Sequence, residues 1–278
     1  MNSIAILGAG TMGHGIAHVS ALAGMEVGLF DISEDAVDAG LAKIQANMEK
    51  GVARGKLDEE AMLQALPRIS GSTNLAICEG VDLVVEAVPE RLDLKRKLFA
   101  EVQGLTDGVL GTNTSSLSIA KIAEAVQDPS RVIGLHFFNP VHIMKLLEII
   151  VHEGTSTETL NACLAYGEAI GKSCITVQDF PGFATSRLGV CLGMEAIRMV
   201  EQGVASPEDI DTAMVLGYRH PIGPLKLTDL VGLDVRMHIG EYLAKELENP
   251  AFEPPALMRR MVAEGRLGKK TGRGFYDW

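Results

Sequence analysis

Gly8-Ala9-Gly10-Thr11-Met12-Gly13 stands between an apolar run, Ser3–Leu7, and a helix-like one, Met12–Ala23. In that setting a GxGxxG pattern can cradle a dinucleotide. The first glycine permits the tight turn, the second lets the backbone approach a pyrophosphate, and the third lets helix and strand pack closely. Free amides and the dipole at the helix start favour phosphate charge, so Gly8, Gly10, Thr11, Met12 and Gly13 are candidate cofactor residues. Asp31 follows Gly13 by 18 residues and ends the next apolar run. Its carboxylate can accept hydrogen bonds from an adenosine ribose 2′-hydroxyl and would repel a 2′-phosphate. No Lys or Arg lies between Asp31 and Gly40, which favours NAD over NADP. The glycines could also serve a plain strand–helix junction, but here strand, spacing and acid coincide.

If the cofactor takes a hydride, some side chain must handle the alcohol proton. Seven histidines compete for that role: His14, His18, His136, His142, His152, His220 and His238. His136 ends an apolar run in Leu135-His136-Phe137-Phe138-Asn139-Pro140, and Glu148 lies inside the next apolar run. A hairpin centred near His142 sets positions 136 and 148 directly opposite each other. A carboxylate there would fix the imidazole tautomer and stabilise its charged form. Spacing leaves open the plainer alternative, a structural histidine beside a solvated glutamate. Asn113-Thr114-Ser115-Ser116 follows a short apolar run at the carboxyl edge expected of a parallel sheet, where it could meet substrate or cofactor. Ser116 reads more simply as the cap of a helix from Leu117. His14 and His18 have the i, i+4 spacing of zinc helices but lack the glutamate after the first histidine, so no metal is expected.

These residues need a scaffold. The chain has 278 residues and a net charge of −11, room for one large domain or two unequal ones. It has no excess of Lys or Arg to neutralise a phosphate backbone, so nucleic acid is not an expected partner. Hydrophobic content of 47% against 22% charged excludes general disorder. Cys78, Cys163, Cys174 and Cys191 have no zinc spacing and read as free thiols in a reducing compartment. Met1–Met25 carries no charged residue, yet its glycines, histidines and lack of a basic start argue against a signal peptide or membrane span. A soluble, cytoplasmic protein is expected.

Up to about residue 180, short apolar runs alternate with amphipathic ones, the pattern of a doubly wound, mainly parallel α/β sheet. Strands are expected at Ser3–Leu7, Glu26–Phe30, Asp82–Val88 and Val109–Gly111. Helices are expected at Met12–Ala23, from Ser33 to about Lys50, at Leu92–Gln103 and at Leu117–Ala125. Arg131–Phe137 and Lys145–Val151 read as an appended antiparallel pair, followed by a helix at Thr157–Ile170 and a strand at Lys172–Val177. Pro181-Gly182 marks a junction, giving domains of 1–181 and 182–278. The second reads as helical: Phe183–Glu201, a helix capped by Ser206, Leu225–Leu247, and a last helix before a glycine-rich tail.

Taken in order, the fingerprint, Asn113 to Leu117, His136 to Pro140, Glu148, Pro181-Gly182-Phe183 and Gly272-Arg273-Gly274-Phe275-Tyr276 resemble the short-chain L-3-hydroxyacyl-CoA dehydrogenases over essentially the whole chain. The bacterial 3-hydroxybutyryl-CoA enzymes are the nearest in pattern. The resemblance implies a Rossmann-like domain followed by a helical domain that contacts substrate and forms a homodimer. It implies hydride transfer between C3 of a 3-hydroxyacyl-CoA and NAD, with His136 as acid or base, Glu148 polarising it and Ser115 bonding the 3-oxygen. It also places Glu90 and Lys95 near the nicotinamide ribose, Asn113 with the cofactor, and Asn139 with the substrate. Lys50, Arg54 and Lys56 form the basic cluster nearest to where the family binds coenzyme A, although such charges also suit a solvated helix end. One departure stands out. The family pattern has Asn before the Arg of this helix, and this chain has Ser186 before Arg187, so a single hydroxyl would replace an amide at the substrate carbonyl. Two alternatives are a sugar-acid dehydrogenase of the L-gulonate type, against which His136 to Val141 argues, and a non-catalytic dinucleotide-binding protein.

Overall fold

A computed structural model describes residues 1–278. The chain divides into two compact units, Met1–Asp179 and Phe180–Trp278.

The first unit is one eight-stranded sheet covered by helices. Its strands are β1 (Ser3–Leu7), β2 (Glu26–Phe30), β3 (Ile69–Ser72), β4 (Leu83–Glu86), β5 (Val109–Thr112), β6 (Val132–Phe137), β7 (Leu146–Val151) and β8 (Ser173–Gln178). They lie in the order β3-β2-β1-β4-β5-β6-β7-β8. All neighbours are parallel except β6 and β7, which form the expected antiparallel pair. The chain winds outward in both directions from β1 and β4, so a crevice opens at their carboxyl ends. Every residue of β4 and β6 is buried, as parallel strands covered on both faces require.

The covering helices are α1 (Gly13–Leu22), α2 (Glu34–Ala53), α3 (Glu59–Ala65), α4 (Leu92–Val102), α5 (Ile119–Ala123) and α6 (Thr157–Ala169). Ser33 caps α2 through Ala36 N–H, with Glu34 and Asp35 in the first turn as expected. Two elements lack a sequence signal. β3 reads Ile-Ser-Gly-Ser, with one β-branched residue, and exists because it pairs with β2 and lets α2 sit closely on it. A Cβ at Gly71 would come within 2.4 Å of Val37. The short helix α3 falls in a stretch the sequence left unassigned.

The second unit is helical, as expected: α7 (Thr185–Glu201), α8 (Pro207–Thr212), a π-helical turn at Ala213–Gly217, α9 (Pro224–Val231), α10 (Leu233–Glu246) and α11 (Ala256–Ala263). The helix expected over Leu225–Leu247 is two helices. Gly232 adopts φ +104°, a conformation only glycine takes without strain, and breaks the run between α9 and α10. Two buried carboxylates organise this unit. Asp211 accepts the first amides of α9, from Leu225 and Lys226, both at 2.8 Å. Asp229 accepts Phe275 N–H and Tyr276 N–H at 2.9 Å and Trp278 Nε1–H at 3.0 Å, holding the glycine-rich tail on α9.

Removing the Asp229 carboxylate leaves three donors without their acceptor, and hydrogen bonds to a charged group are worth about 1.5–3 kcal/mol each. Asp229→Ala should therefore cost about 3 kcal/mol or more in thermal or urea unfolding. It should also red-shift the emission of Trp278, the sole tryptophan. An unchanged midpoint and spectrum would show that the tail is held otherwise.

Candidate active site

The glycine loop lies at the carboxyl end of β1. Gly8 has φ +105°, and a Cβ there would come 2.8 Å from the Ala87 carbonyl oxygen. One at Gly13 would lie 1.7 Å from the Gly8 carbonyl oxygen, so both positions exclude a side chain on steric grounds. A Cβ at Gly10 would meet nothing within 4 Å. That glycine faces open space, as a backbone approached by a phosphate must. The N-terminus of α1 has neither a side-chain cap nor an acidic residue in its first turn, and so suits an anion. Asp31 ends just past β2 and reaches back, its Oδ2 accepting Ala9 N–H at 2.8 Å. The crossover thus joins the acid expected at the ribose to the loop expected at the pyrophosphate. These residues fit a dinucleotide.

Next along the crevice is a chain of charges, two of them enclosed and the third, Glu90, open to the crevice. Glu86, the last residue of β4, is wholly buried and accepts Lys95 Nζ at 2.8 and 3.0 Å, Thr112 Oγ1 at 2.7 Å and Val88 N–H at 2.7 Å. Lys95 Nζ also lies 3.3 Å from Glu90 Oε2. On its other oxygen Glu90 gathers Thr114 Oγ1 at 2.6 Å, Ser115 N–H at 2.9 Å and Ser116 N–H at 3.1 Å, with both serine hydroxyls at 3.2 Å. Burial pushes the Glu90 carboxyl up, but the Lys95 ammonium and these hydrogen bonds outweigh it and hold it below the usual carboxylate range. The ammonium of Lys95, which the resemblance puts near the nicotinamide ribose, is enclosed and held between Glu86 and Glu90.

The serine loop also differs from the expected capping. Ser116 does not cap the following helix; Ser118 does, accepting Lys121 N–H while its hydroxyl donates to Asp179. The reason is the Glu90 carboxylate, which takes both donors of Ser116 into the loop and delays the helix until Ile119. Sequence reading missed Glu86. Its one signal was an acid inside the buried run Asp82–Val88.

His136 lies on β6 and Glu148 on β7, and the antiparallel register pairs them directly. His136 Nδ1 is 2.6 Å from Glu148 Oε2, with His136 7% and Glu148 0% exposed. A carboxylate so enclosed needs a donor, and Nδ1–H can supply it, which leaves Nε2 as the ring nitrogen able to exchange a proton. Asn113 Oδ1 accepts Phe137 N–H at 2.9 Å, tying the serine loop to β6 beside His136. Asn113 thus has a structural bond whatever it does for a cofactor.

No other histidine is paired with a carboxylate. His152 is held on both ring nitrogens by Pro129 O and Gly154 N–H. His18 is buried in α1 and stacks on His142, with centroids 5.1 Å apart. Lys50 lies in the last turn of α2, Arg54 is its C-cap and Lys56 lies just beyond; all three are exposed, as is Asn139. Ser186 sits in the first turn of α7, in the second unit. It does not cap that helix, whose N-cap residue, Ala184, has no side-chain bond.

Residues 3–180 match the NAD-binding domain of 3-hydroxyacyl-CoA dehydrogenase, and residues 182–278 match its C-terminal domain. The chain is 41% identical over 280 residues to the probable 3-hydroxybutyryl-CoA dehydrogenase of Bacillus subtilis, covering 100% of this chain and 98% of that protein. It is 42% identical over 279 residues to the 3-hydroxybutyryl-CoA dehydrogenase of Mycobacterium tuberculosis, covering 99% and 98%. The solved structure of (S)-3-hydroxybutyryl-CoA dehydrogenase from Ralstonia eutropha superposes with a TM-score of 0.96 at 42% identity, covering 100% of this chain and 99% of that one.

The loop geometry separates two substitutions. Gly10→Ala should leave the melting temperature nearly unchanged and weaken NADH binding, read by fluorescence titration. Gly13→Ala should lower both, because its methyl overlaps the Gly8 carbonyl. Equal melting losses in the two variants would contradict this. His18 yields a pH dependence. Burial first, then the neighbouring His142, lowers it from 6.5 to about 4, so the native state holds it neutral. Its contribution is complete above pH 6.5 and is lost as pH falls toward 4, about 3 kcal/mol in all. Urea unfolding across that range should show a shallower slope in His18→Asn; parallel slopes would refute it.

Proposed function

The chain belongs to the 3-hydroxyacyl-CoA dehydrogenase family, and on that premise we propose that it interconverts 3-hydroxybutyryl-CoA and acetoacetyl-CoA with NAD. The His136–Glu148 pair carries this reading. NAD, when bound, supplies the hydride acceptor and, reduced, the donor. His136 Nε2 takes the proton of the 3-hydroxyl during oxidation and returns it during reduction. Glu148 stabilises the imidazolium that forms and holds the ring in place.

Ser115 donates to the 3-oxygen by turning its hydroxyl away from Glu90, which keeps the Ser115 N–H and so holds the residue in position. Asp31 receives the adenosine ribose hydroxyls and disfavours a 2′-phosphate, while Gly8 to Gly13 hold the pyrophosphate. Lys50, Arg54 and Lys56 hold phosphates of coenzyme A, Asn139 lies at the acyl part, and Ser186 donates one hydrogen bond to the thioester carbonyl. The C-terminal domain, residues 182–278, contributes substrate contacts and a homodimer face. Leu188, Leu216 and Tyr218 of this domain are exposed large apolar side chains, at 72, 75 and 76%. A cytoplasmic setting agrees with the free cysteines and the NAD chemistry, and no helix is long and apolar enough to cross a membrane.

The test follows NADH absorbance with acetoacetyl-CoA, longer 3-ketoacyl-CoA esters and free acetoacetate. The short ester should turn over best and the free acid poorly. His136→Gln should lower kcat by about 10²–10⁴-fold with NADH affinity unchanged. Near wild-type turnover in that variant would place the acid–base group elsewhere.

A further inference from the structure

In a chain of net charge −11, one face of the first unit brings together three histidines, His14, His18 and His142, with Lys172 and Lys50. Gly15 of α1 packs on the β6–β7 loop so tightly that a Cβ would come 2.9 Å from the Val141 side chain. This contact sets His14 and His18, one helical turn apart, beside His142 of that loop. The His18 and His142 rings stack at 5.1 Å and only 6° from parallel. His18 is 3% exposed, and its Nδ1 has no hydrogen-bond partner. His142 is exposed. Lys172, just after α6, donates its ammonium to the Val141 and Met144 carbonyls and fixes the loop from below. Lys50 comes in from the end of α2. The groups that bear on His142 are burial, then His14, Lys172 and Lys50, all of which disfavour its charged form.

A cluster of this kind is repulsive while vacant of negative charge and becomes favourable when an anion enters. Two imidazolium rings 5.1 Å apart would repel, so near neutral pH the pair takes up at most one added proton. Exposed His142 is the ring that takes it, with the face of neutral His18 beneath it.

We propose that His142, stacked on His18 and flanked by His14 and Lys50, is a phosphate-binding subsite that takes up one proton when it is filled. The proposal rests on the functional reading above, which supplies two phosphate-bearing ligands: coenzyme A, whose expected contacts Lys50, Arg54 and Lys56 adjoin the cluster, and the dinucleotide, whose pyrophosphate is expected near His14. Anion entry lowers the cost of the imidazolium, so binding draws a proton from solvent and tightens as pH falls.

Calorimetric titration at pH 7 in two buffers of different ionisation enthalpy counts the proton, with coenzyme A and NADH as separate probes. One of the two should bind with net proton uptake, and its Kd should fall about fivefold from pH 8 to pH 6. In His142→Gln that uptake and most of the pH dependence should vanish, which also removes the ligand's own phosphate titration from consideration. Lys50→Gln should weaken the same ligand while keeping the uptake. Uptake with coenzyme A assigns the subsite to the substrate's handle, and uptake with NADH assigns it to the dinucleotide. Equal proton uptake in wild type and His142→Gln for both probes overturns the proposal. Turnover of acetoacetyl-CoA by the wild type separates the two levels: turnover without His142-dependent uptake overturns the subsite alone, and absence of turnover overturns the functional reading.

Discussion

Glu148 has no exposed surface, yet it carries a carboxylate, and burying such a group is costly unless a donor meets it permanently. The crossing strand provides that donor through His136. Meeting it fixes the register of β6 and β7, because a slip of one residue would turn either side chain to the opposite face. The same requirement fixes which imidazole nitrogen faces the carboxylate. Asn113 then ties the β5 loop to β6 at Phe137, so the serine loop and the histidine share one frame.

A second buried charge network does the same for the other side of the crevice. Glu86 and Lys95 are both fully enclosed and hold each other, with Thr112 and Val88 completing the carboxylate's bonds. Lys95 faces Glu90, and Glu90 gathers the hydroxyls and amides of residues 114–116. A loop of small hydroxyl residues, floppy by composition, is thereby fixed at the carboxyl edge. The polar groups of the crevice are pre-arranged by Glu90, itself partly open to solvent and anchored from beneath by the enclosed Lys95 and Glu86, which is how a site avoids reorganising during reaction.

Much of this was legible in the sequence because it depends on periodicity and spacing. The midpoint of residues 136 and 148 gave the hairpin register, and the glycines between an apolar run and a helix gave the cradle. What could not be read is what tertiary contact decides. β3 has almost no strand-forming residues and is made by its neighbour and by Gly71. The buried state of Lys95 has no local mark, since lysine beside a helix start ordinarily lies in water. Ser116 looked like a cap until Glu90, 26 residues away, claimed it. Gly232 could have been tolerated inside a helix, and only its backbone angle shows a break.

A double-mutant cycle on kcat for acetoacetyl-CoA reduction tests most directly whether His136 and Glu148 act as one device. Glu148→Gln should slow the wild-type enzyme about 10- to 100-fold, yet change the rate of His136→Gln by less than about threefold, because the carboxylate acts only through the ring. Additive losses in the double variant would contradict this, showing that Glu148 contributes on its own and that the pair is two separate structural residues.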